Sequence, residues 1–395
     1  MTNMNKDRWL LPEGIEEVLP PHAEYLETQR RMLLDLYRSW GYELVMPPFI
    51  EYLESLFIGT AHDLDLQTFK LTDQLNGRLM GVRADMTPQV ARIDAHHLKR
   101  ATPTRLCYMG TVLHTRPDGF GASRAPLQIG LELYGHAGVE SDVEVFSLMV
   151  ETLRACGIDN AFFDLGHVGI FRGLARQAGL NAEQEAELFD ALQRKAKPEI
   201  GAMLAHWQLD NSVAAMLNAL ADLNGSDTVL ANADKVLAKA SAEVKAALAA
   251  LRQIAAAIKA RIPDISLHYD LAELRGYHYH TGVVFAAFVA GKGQAIAQGG
   301  RYDGIGKVFG NARPATGFST DLKTLLALAP APVLKDSGIF APYEQDGALQ
   351  QLVQSLREQG ERVVNALPGQ AGDAAAMGCN RAIVRQGNEW VVKNI

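Results

Sequence analysis

The chain has little cysteine. Cys107, Cys156 and Cys379 stand far apart in 395 residues, no pair has the short spacing of a zinc site, and an odd count fits a reducing compartment without a disulfide framework. No uninterrupted apolar run approaches the roughly 20 residues needed to cross a bilayer. Nor is there a signal-like start, since Met1 to Lys6 leads straight into Asp7-Arg8-Trp9-Leu10-Leu11-Pro12. A cytoplasmic location is the expectation. Positive charge is also short. The net charge is −7, whereas a protein that grips nucleic acid usually turns a basic face to the phosphates, so nucleic acid is disfavoured as the main partner.

What is present is ordinary globular composition, 48% hydrophobic and 21% charged, in a length that suits two or three domains. Pro21 to Trp40 has a helical period, with Leu26, Met32, Leu33, Leu36 and Tyr37 on one face; Gly41 stops it and Tyr42 to Met46 reads as a strand. From Phe69 to Gly135 short apolar runs alternate with turn residues and predict several strands. Residues 174–262 are rich in alanine, leucine, glutamate and lysine, which predicts a helical insertion; Asn224-Gly225-Ser226-Asp227 reads as a break inside it, with Ser226 or Asp227 capping the next helix. Strands return at Ser266–Asp270, Gly282–Val289 and Gln294–Ala297. Ala329-Pro330-Ala331-Pro332 reads as a linker, and the tail behind it predicts a β-α-β piece. The pattern is α+β: a first domain over 1–328 and a small α/β domain over 333–395.

Several residue groups could carry chemistry. Asp85, in Arg83-Ala84-Asp85-Met86-Thr87, either offers a carboxylate to a ligand or caps a helix from Met86 to His96. Gln128 and Glu132 lie four apart on a predicted strand and share a face, which lines either a polar pocket or solvent. Leu274-Arg275-Gly276-Tyr277-His278-Tyr279-His280-Thr281-Gly282-Val283-Val284-Phe285 holds Arg275, able to fork onto a carboxylate, and Tyr279, able to bond an imidazole nitrogen; the alternative is an aromatic hairpin packed in the core. His268, His278 and His280 find no third ligand of convincing spacing, so no metal is expected. Gly299-Gly300-Arg301-Tyr302-Asp303-Gly304 reads as a glycine-rich turn, with Arg301 as a candidate ligand contact.

These segments resemble the histidyl-tRNA synthetase family over about residues 10–330. Leu274–Phe285 is similar to its histidine-binding signature, and Gly317-Phe318-Ser319-Thr320-Asp321-Leu322-Lys323-Thr324 to its third motif. Helix, glycine and strand at 21–46 resemble the dimer-forming first motif of class II synthetases. The resemblance implies a class II aminoacyl-tRNA synthetase-like antiparallel sheet flanked by helices, and a histidine pocket at Asp85, Gln128, Glu132, Arg275 and Tyr279. In those enzymes Asp85 would face the histidine ammonium, Gln128 and Glu132 would belong to the histidine site, and the arginine and tyrosines would close over it. His280 stands where the second tyrosine belongs.

Two departures remove the chemistry. Where the third motif carries an arginine against ATP, this chain has Thr324. Val112-Leu113-His114-Thr115-Arg116-Pro117 aligns with the second motif, and Leu113 falls at its phosphate-binding arginine; Arg116 or Arg124 fills that role only if the alignment shifts. One lost electrostatic donor costs roughly 3–4 kcal/mol in such a transition state. The chain is therefore most similar to a non-catalytic branch of the family, the regulatory subunits of ATP phosphoribosyltransferase. That likeness implies a short-form catalytic subunit as partner, self-association through the first motif, histidine as a ligand in feedback inhibition, and no cofactor. The rival expectations are an active histidine ligase and a tRNA-binding pseudo-synthetase.

Overall fold

The computed structural model describes residues 9–56, 62–117, 123–273, 276–277, 279–306, 310, 312–330 and 338–395. Leu274, Arg275 and His278 lie outside the described residues, as do 118–122 and the second half of the expected linker, Ala331 and Pro332. The chain divides into two compact units, Met1–Pro330 and Ala331–Ile395.

In the first unit, α1 (His22–Ser39) buries Leu33 and Tyr37, and Gly41, at φ +84°, turns the chain into β1 (Glu43–Leu44). After β2 (Ile50–Tyr52), α2 (Leu53–Leu56) and α3 (His62–Gln67) come β3 (Lys70–Thr72) and β4 (Leu79–Val82). Strands β2, β4 and β3 form a small antiparallel sheet. α4 (Thr87–Arg92) continues as a π-helical stretch, Ile93–Leu98. β5 (Thr104–Thr111) and β6 (Leu127–Tyr134) then pair antiparallel, and α5 (Val139–Ala155) leads to β7 (Phe162–His167). The alanine-rich stretch folds as α6 (Val168–Ala178), α7 (Ala182–Gln193), α8 (Lys197–His206), α9 (Asn211–Ala219), β8 (Asn224–Gly225), α10 (Thr228–Val236) and α11 (Ala242–Arg261). β9 (Leu267–Asp270), β10 (Val283–Phe288), β11 (Ala297–Arg301), β12 (Ala315–Asp321) and α12 (Leu322–Leu328) close the unit.

The large sheet has the order β1-β5-β6-β12-β11-β10-β7-β9-β8. Only the β1–β5 and β7–β9 pairings are parallel. Period-two alternation gives its strands two opposite faces. In one row of directly paired residues, Leu131, Phe318, Gly299, Phe285 and Leu165, the four side chains belong to the hydrophobic core with α5 and α11. Phe146 of α5 stands edge-on to Phe163 and Phe285. The neighbouring row, Glu132, Gly317, Gly300, Val284 and Gly166, points the other way.

Two local expectations need correction. Asn224-Gly225 is an edge strand paired with β9, and Asp227 makes no side-chain cap on α10. Its carboxylate instead binds Lys259 and accepts from the Tyr269 hydroxyl, a tertiary tie invisible to local pattern. Gly299, Gly300 and Arg301 are not a turn but the end of β11, one strand-length beyond the predicted Gln294–Ala297. A Cβ on Gly299 would lie 2.7 Å from Phe285 and Phe318 side chains, so glycine is there for close packing inside the sheet.

The second unit comprises β13 (Gly338–Ala341), α13 (Gly347–Glu358), β14 (Val363–Asn365), β15 (Cys379–Gln386) and β16 (Glu389–Asn394), with the sheet order β14-β13-β15-β16. Asp346 caps α13 and accepts from the Trp390 indole; Ile339, Ala341, Leu349, Val353, Val363 and Ile383 make its core. The last strand, β16, was not expected. No described helix is long and apolar enough to cross a membrane.

Candidate functional site

The row of small residues opposite the core face leaves space. Glu132, Gly317, Gly300, Val284 and Gly166 run across five strands, and three of the five have no side chain. A cavity of about 210 Å³ opens there, lined among others by Asp85, Thr87, Glu132, Tyr279, Gln298 and Ser319. A Cβ at Gly317 would sit 1.6 Å from Glu132 Oε2 and 2.6 Å from the Leu131 carbonyl. Glycine is required there if Glu132 is to lie against the sheet. Sites for drug-sized ligands span roughly 300–1,000 Å³, so this volume suits a single amino acid better than a nucleotide.

Glu132 is 1% exposed. Its carboxylate accepts from the Tyr108 hydroxyl at 2.9 Å and from the Tyr302 hydroxyl. Tyr108 also bonds Thr87 Oγ1 at 3.0 Å, and the Tyr302 and Tyr134 hydroxyl oxygens lie 3.3 Å apart. Burial pushes the Glu132 carboxyl up to about 8, its hydroxyl partners pull it down, and nearby Asp85 pushes it up again. Burial and the Glu132 charge hold the Tyr108, Tyr302 and Tyr279 phenols well above 10, so they serve as neutral hydrogen-bonding groups.

Asp85 precedes α4 and does two things at once. Its Oδ1 accepts from the Thr87 N–H at 3.0 Å, steadying the helix entrance, and from the Gln128 amide at 2.7 Å. The other end of that amide accepts from the Met86 N–H. Gln128 thus holds Asp85 in place from β6 while Asp85 itself lines the cavity. The Tyr279 ring stacks on Tyr302 with centroids 4.8 Å apart and meets His280 edge-on. The Tyr279 hydroxyl is buried without a hydrogen-bond partner among the described residues, as a group awaiting a ligand would be. Asp85, Glu132 and Tyr279 therefore converge on one cavity and Gln128 braces it; Arg275 is outside the described residues. Sequence reasoning missed Tyr108, Tyr302 and Glu273, which also belong to the site or its wall. Tyr302 follows Arg301 in the glycine-rich segment, where nothing local signals a partner 170 residues away.

That arginine is structural. Arg301 is 7% exposed; it pairs with Asp142 at 2.9 Å and donates to the His136 and Gly138 carbonyls and to Ser141 Oγ. Arg83 is likewise spent on the Thr111 and Pro47 carbonyls.

The adjoining end of the face, where α12 begins, looks different. Asp321 accepts from the N–H groups of Leu127, Lys323 and Thr324 and from Thr324 Oγ1 at 2.7 Å. Lys323 donates to the Ala125 carbonyl at 2.9 Å and reaches Glu16. Arg124 donates to the carbonyls of His114 and Glu13, and Arg116 is exposed. Among the described residues no Lys or Arg lines the cavity. Nor, among the described residues, do three His, Cys, Asp or Glu come together as a metal would need.

Residues 14–325 match the family described as histidyl-tRNA synthetase, and residues 336–393 the one described as ATP phosphoribosyltransferase subunit HisZ C-terminal domain. A protein of Thioalkalivibrio sulfidiphilus named ATP phosphoribosyltransferase regulatory subunit is 63% identical over 397 residues, covering 100% of both chains. One of the same name from Alkalilimnicola ehrlichii is 58% identical, covering 98% of this chain and 97% of its own. The crystal structure of an ATP phosphoribosyltransferase regulatory subunit/histidyl-tRNA synthetase from Bacillus halodurans superposes with a TM-score of 0.83 at 27% identity, covering 93% of this chain and 95% of that one. Histidyl-tRNA synthetase from Nostoc shares the fold, with a TM-score of 0.77 at 19% identity over 98% of this chain and 97% of its own. A synthetase-like sheet with an amino-acid-sized cavity, a tail of the second type and end-to-end relatives lead to one conclusion: this chain belongs to the family of ATP phosphoribosyltransferase regulatory subunits.

Proposed function

We propose that this chain performs no chemistry of its own. It serves as the regulatory subunit that a short-form ATP phosphoribosyltransferase catalytic subunit needs for activity, and it carries histidine feedback inhibition of the first step of histidine biosynthesis. The observation that carries this reading is the unequal fate of one sheet face. The amino-acid end keeps Asp85, Glu132 and Tyr279 around a cavity, while the nucleotide end has Thr324 and Leu113 where phosphate-binding arginines would stand. Without those cations, adenylation loses its electrostatic support.

Histidine is the proposed ligand. Asp85, held by Gln128, takes the ammonium; Glu132 and Tyr279 take the imidazole; Arg275 takes the carboxylate. A regulator acts on a partner only when its ligand favours one state of the assembly, so histidine must bind the inhibited state more tightly. The chain pairs with a second copy through the first-motif region, a proposal supported by exposed Leu44, Met46, Phe49 and Ile50 just after α1. The cytoplasm is the proposed location.

The experiment is to mix the purified chain with a short-form catalytic subunit and follow product formation with and without histidine. The expected result is activity only in the mixture, lowered by histidine. Histidine-dependent ATP–pyrophosphate exchange by the chain alone would favour an active ligase. Salt-sensitive tRNA binding would favour a pseudo-synthetase.

A further inference from the structure

The cavity contains a buried carboxyl, Glu132, whose protonation nothing above has used. Glu132 is surrounded by groups from several elements, with the cavity on its open side. Tyr108 comes from β5, Tyr134 from β6 itself, and Tyr302 follows β11; Tyr279 stacks behind Tyr302. Asp85 approaches from the entrance of α4 together with Thr87, and Tyr42, after α1, lies on the far side of the sheet. β12 presents Gly317, which brings no charge. His280 and Glu273 line the same cavity. No described lysine or arginine contacts the Glu132 carboxylate, which has two hydroxyl partners and opens onto the empty space.

We propose that Glu132 holds a proton in the empty cavity and passes it to the imidazole of incoming histidine, so that the pocket selects histidine by the basicity of its ring. The proposal rests on the histidine-pocket reading above. The step balances without another reactant: the Glu132 O–H bond breaks, an imidazole N–H bond forms, and a neutral acid and neutral base become a carboxylate–imidazolium pair. Such a pair, buried and flanked by phenol donors, is a strong hydrogen-bonded contact. A buried carboxylate without a cation is costly, and this arrangement avoids it in the empty and the filled state alike. The carboxyl, raised to about 8, and a free imidazole near 6.5 have the order that places the proton on Glu132 before binding; once histidine is bound, the attraction between carboxylate and imidazolium and the two phenol donors to the carboxylate outweigh that order and draw the proton across.

The linkage has a defined sign. Below about pH 6.5 both groups are protonated before binding and one proton must leave; above about pH 8 neither is, and one must be taken up. Affinity is therefore greatest between these values and falls about tenfold per pH unit on each side.

Calorimetric titration of the whole chain tests this with two ligands, histidine and 2-fluorohistidine, whose ring has nearly the same shape but is far less basic. The expected result is a bell-shaped histidine affinity and 2-fluorohistidine binding at least about tenfold weaker at neutral pH. In Glu132→Gln the alkaline limb disappears and the two ligands bind alike. The fluorinated ligand on the unmodified chain decides the matter even if the variant does not fold. Histidine binding that is flat with pH and equal for the two ligands overturns the proton transfer while leaving the pocket intact. No binding of either ligand at any pH overturns the pocket reading itself.

Discussion

The two ends of one sheet face differ in how their polar groups are satisfied. At the Glu132 end, groups converge on empty space: the Tyr279 hydroxyl has no partner among the described residues and the Asp85 carboxylate lines a cavity. At the α12 end, Asp321 takes four donors from the chain itself, and Lys323 and Arg124 bind the chain's own carbonyls. An end that must receive a ligand keeps unspent hydrogen-bonding capacity; an end that no longer does so consumes it internally. On the proposed reading, loss of a nucleotide site need not leave a hole: Thr324 bonds the residue that caps α12.

The largest blow to this contrast is Gly317→Ala. The added methyl would meet the Glu132 carboxylate and the Leu131 carbonyl, neither of which can withdraw, because one is held by two tyrosines and the other by the sheet. The cost is about 1–3 kcal/mol or more in stability, and histidine binding disappears. Urea unfolding and calorimetry check both. Retained binding would mean that the cavity floor is not where the ligand lies.

Much of the Glu132 end was legible because its residues come from short, ordered motifs. Gln128 and Glu132 share a face on β6 without a bulge, as their spacing required, and Asp85 stands at a helix entrance. Its two readings do not exclude each other, since one oxygen steadies Thr87 while the side chain lines the cavity. What stayed hidden was the enclosure. Tyr108 and Tyr302 reach Glu132 from 24 and 170 residues away, and no local period reports that. The glycines of β11 misled for a related reason. Glycine marks a turn when the chain is read alone, but in the sheet Gly299 and Gly300 make room for Phe285 and His280. Arg301 then followed the wrong logic, because its partner Asp142 lies 159 residues away on α5. In the second unit the strand–helix–strand order was legible, whereas β16 was too polar to announce itself.

A middle-sized effect separates the two ends energetically. Asp321→Ala leaves the N–H groups of Leu127, Lys323 and Thr324 without their acceptor and strips the cap from α12, costing about 1–2 kcal/mol. Gln128 still holds Asp85, and the donors to Glu132 are untouched. Histidine affinity should therefore stay within about twofold, although Asp321 faces Gln128 directly across the β12–β6 pairing. A parallel loss of stability and affinity would show that the two ends are one cooperative unit.

The smallest expected effect concerns the N-terminal segment that crosses the closed end. Lys323 reaches Glu16 at 3.4 Å, and the Glu16 side chain is 55% exposed, so solvent screens this pair and it contributes well under about 1 kcal/mol. The bond from Lys323 to the Ala125 carbonyl is shorter and less exposed. Lys323→Ala should therefore destabilise by about 0.5–1.5 kcal/mol, nearly all of it from the carbonyl contact. Glu16→Gln should change almost nothing, and a double-mutant cycle between the two should give a coupling below about 0.5 kcal/mol. A coupling several times larger would place the closing force of this end in charge attraction rather than in hydrogen bonds to the backbone. The distinction would carry over to salt, because a charge-held strap loosens as ionic strength rises whereas one held on carbonyls does not.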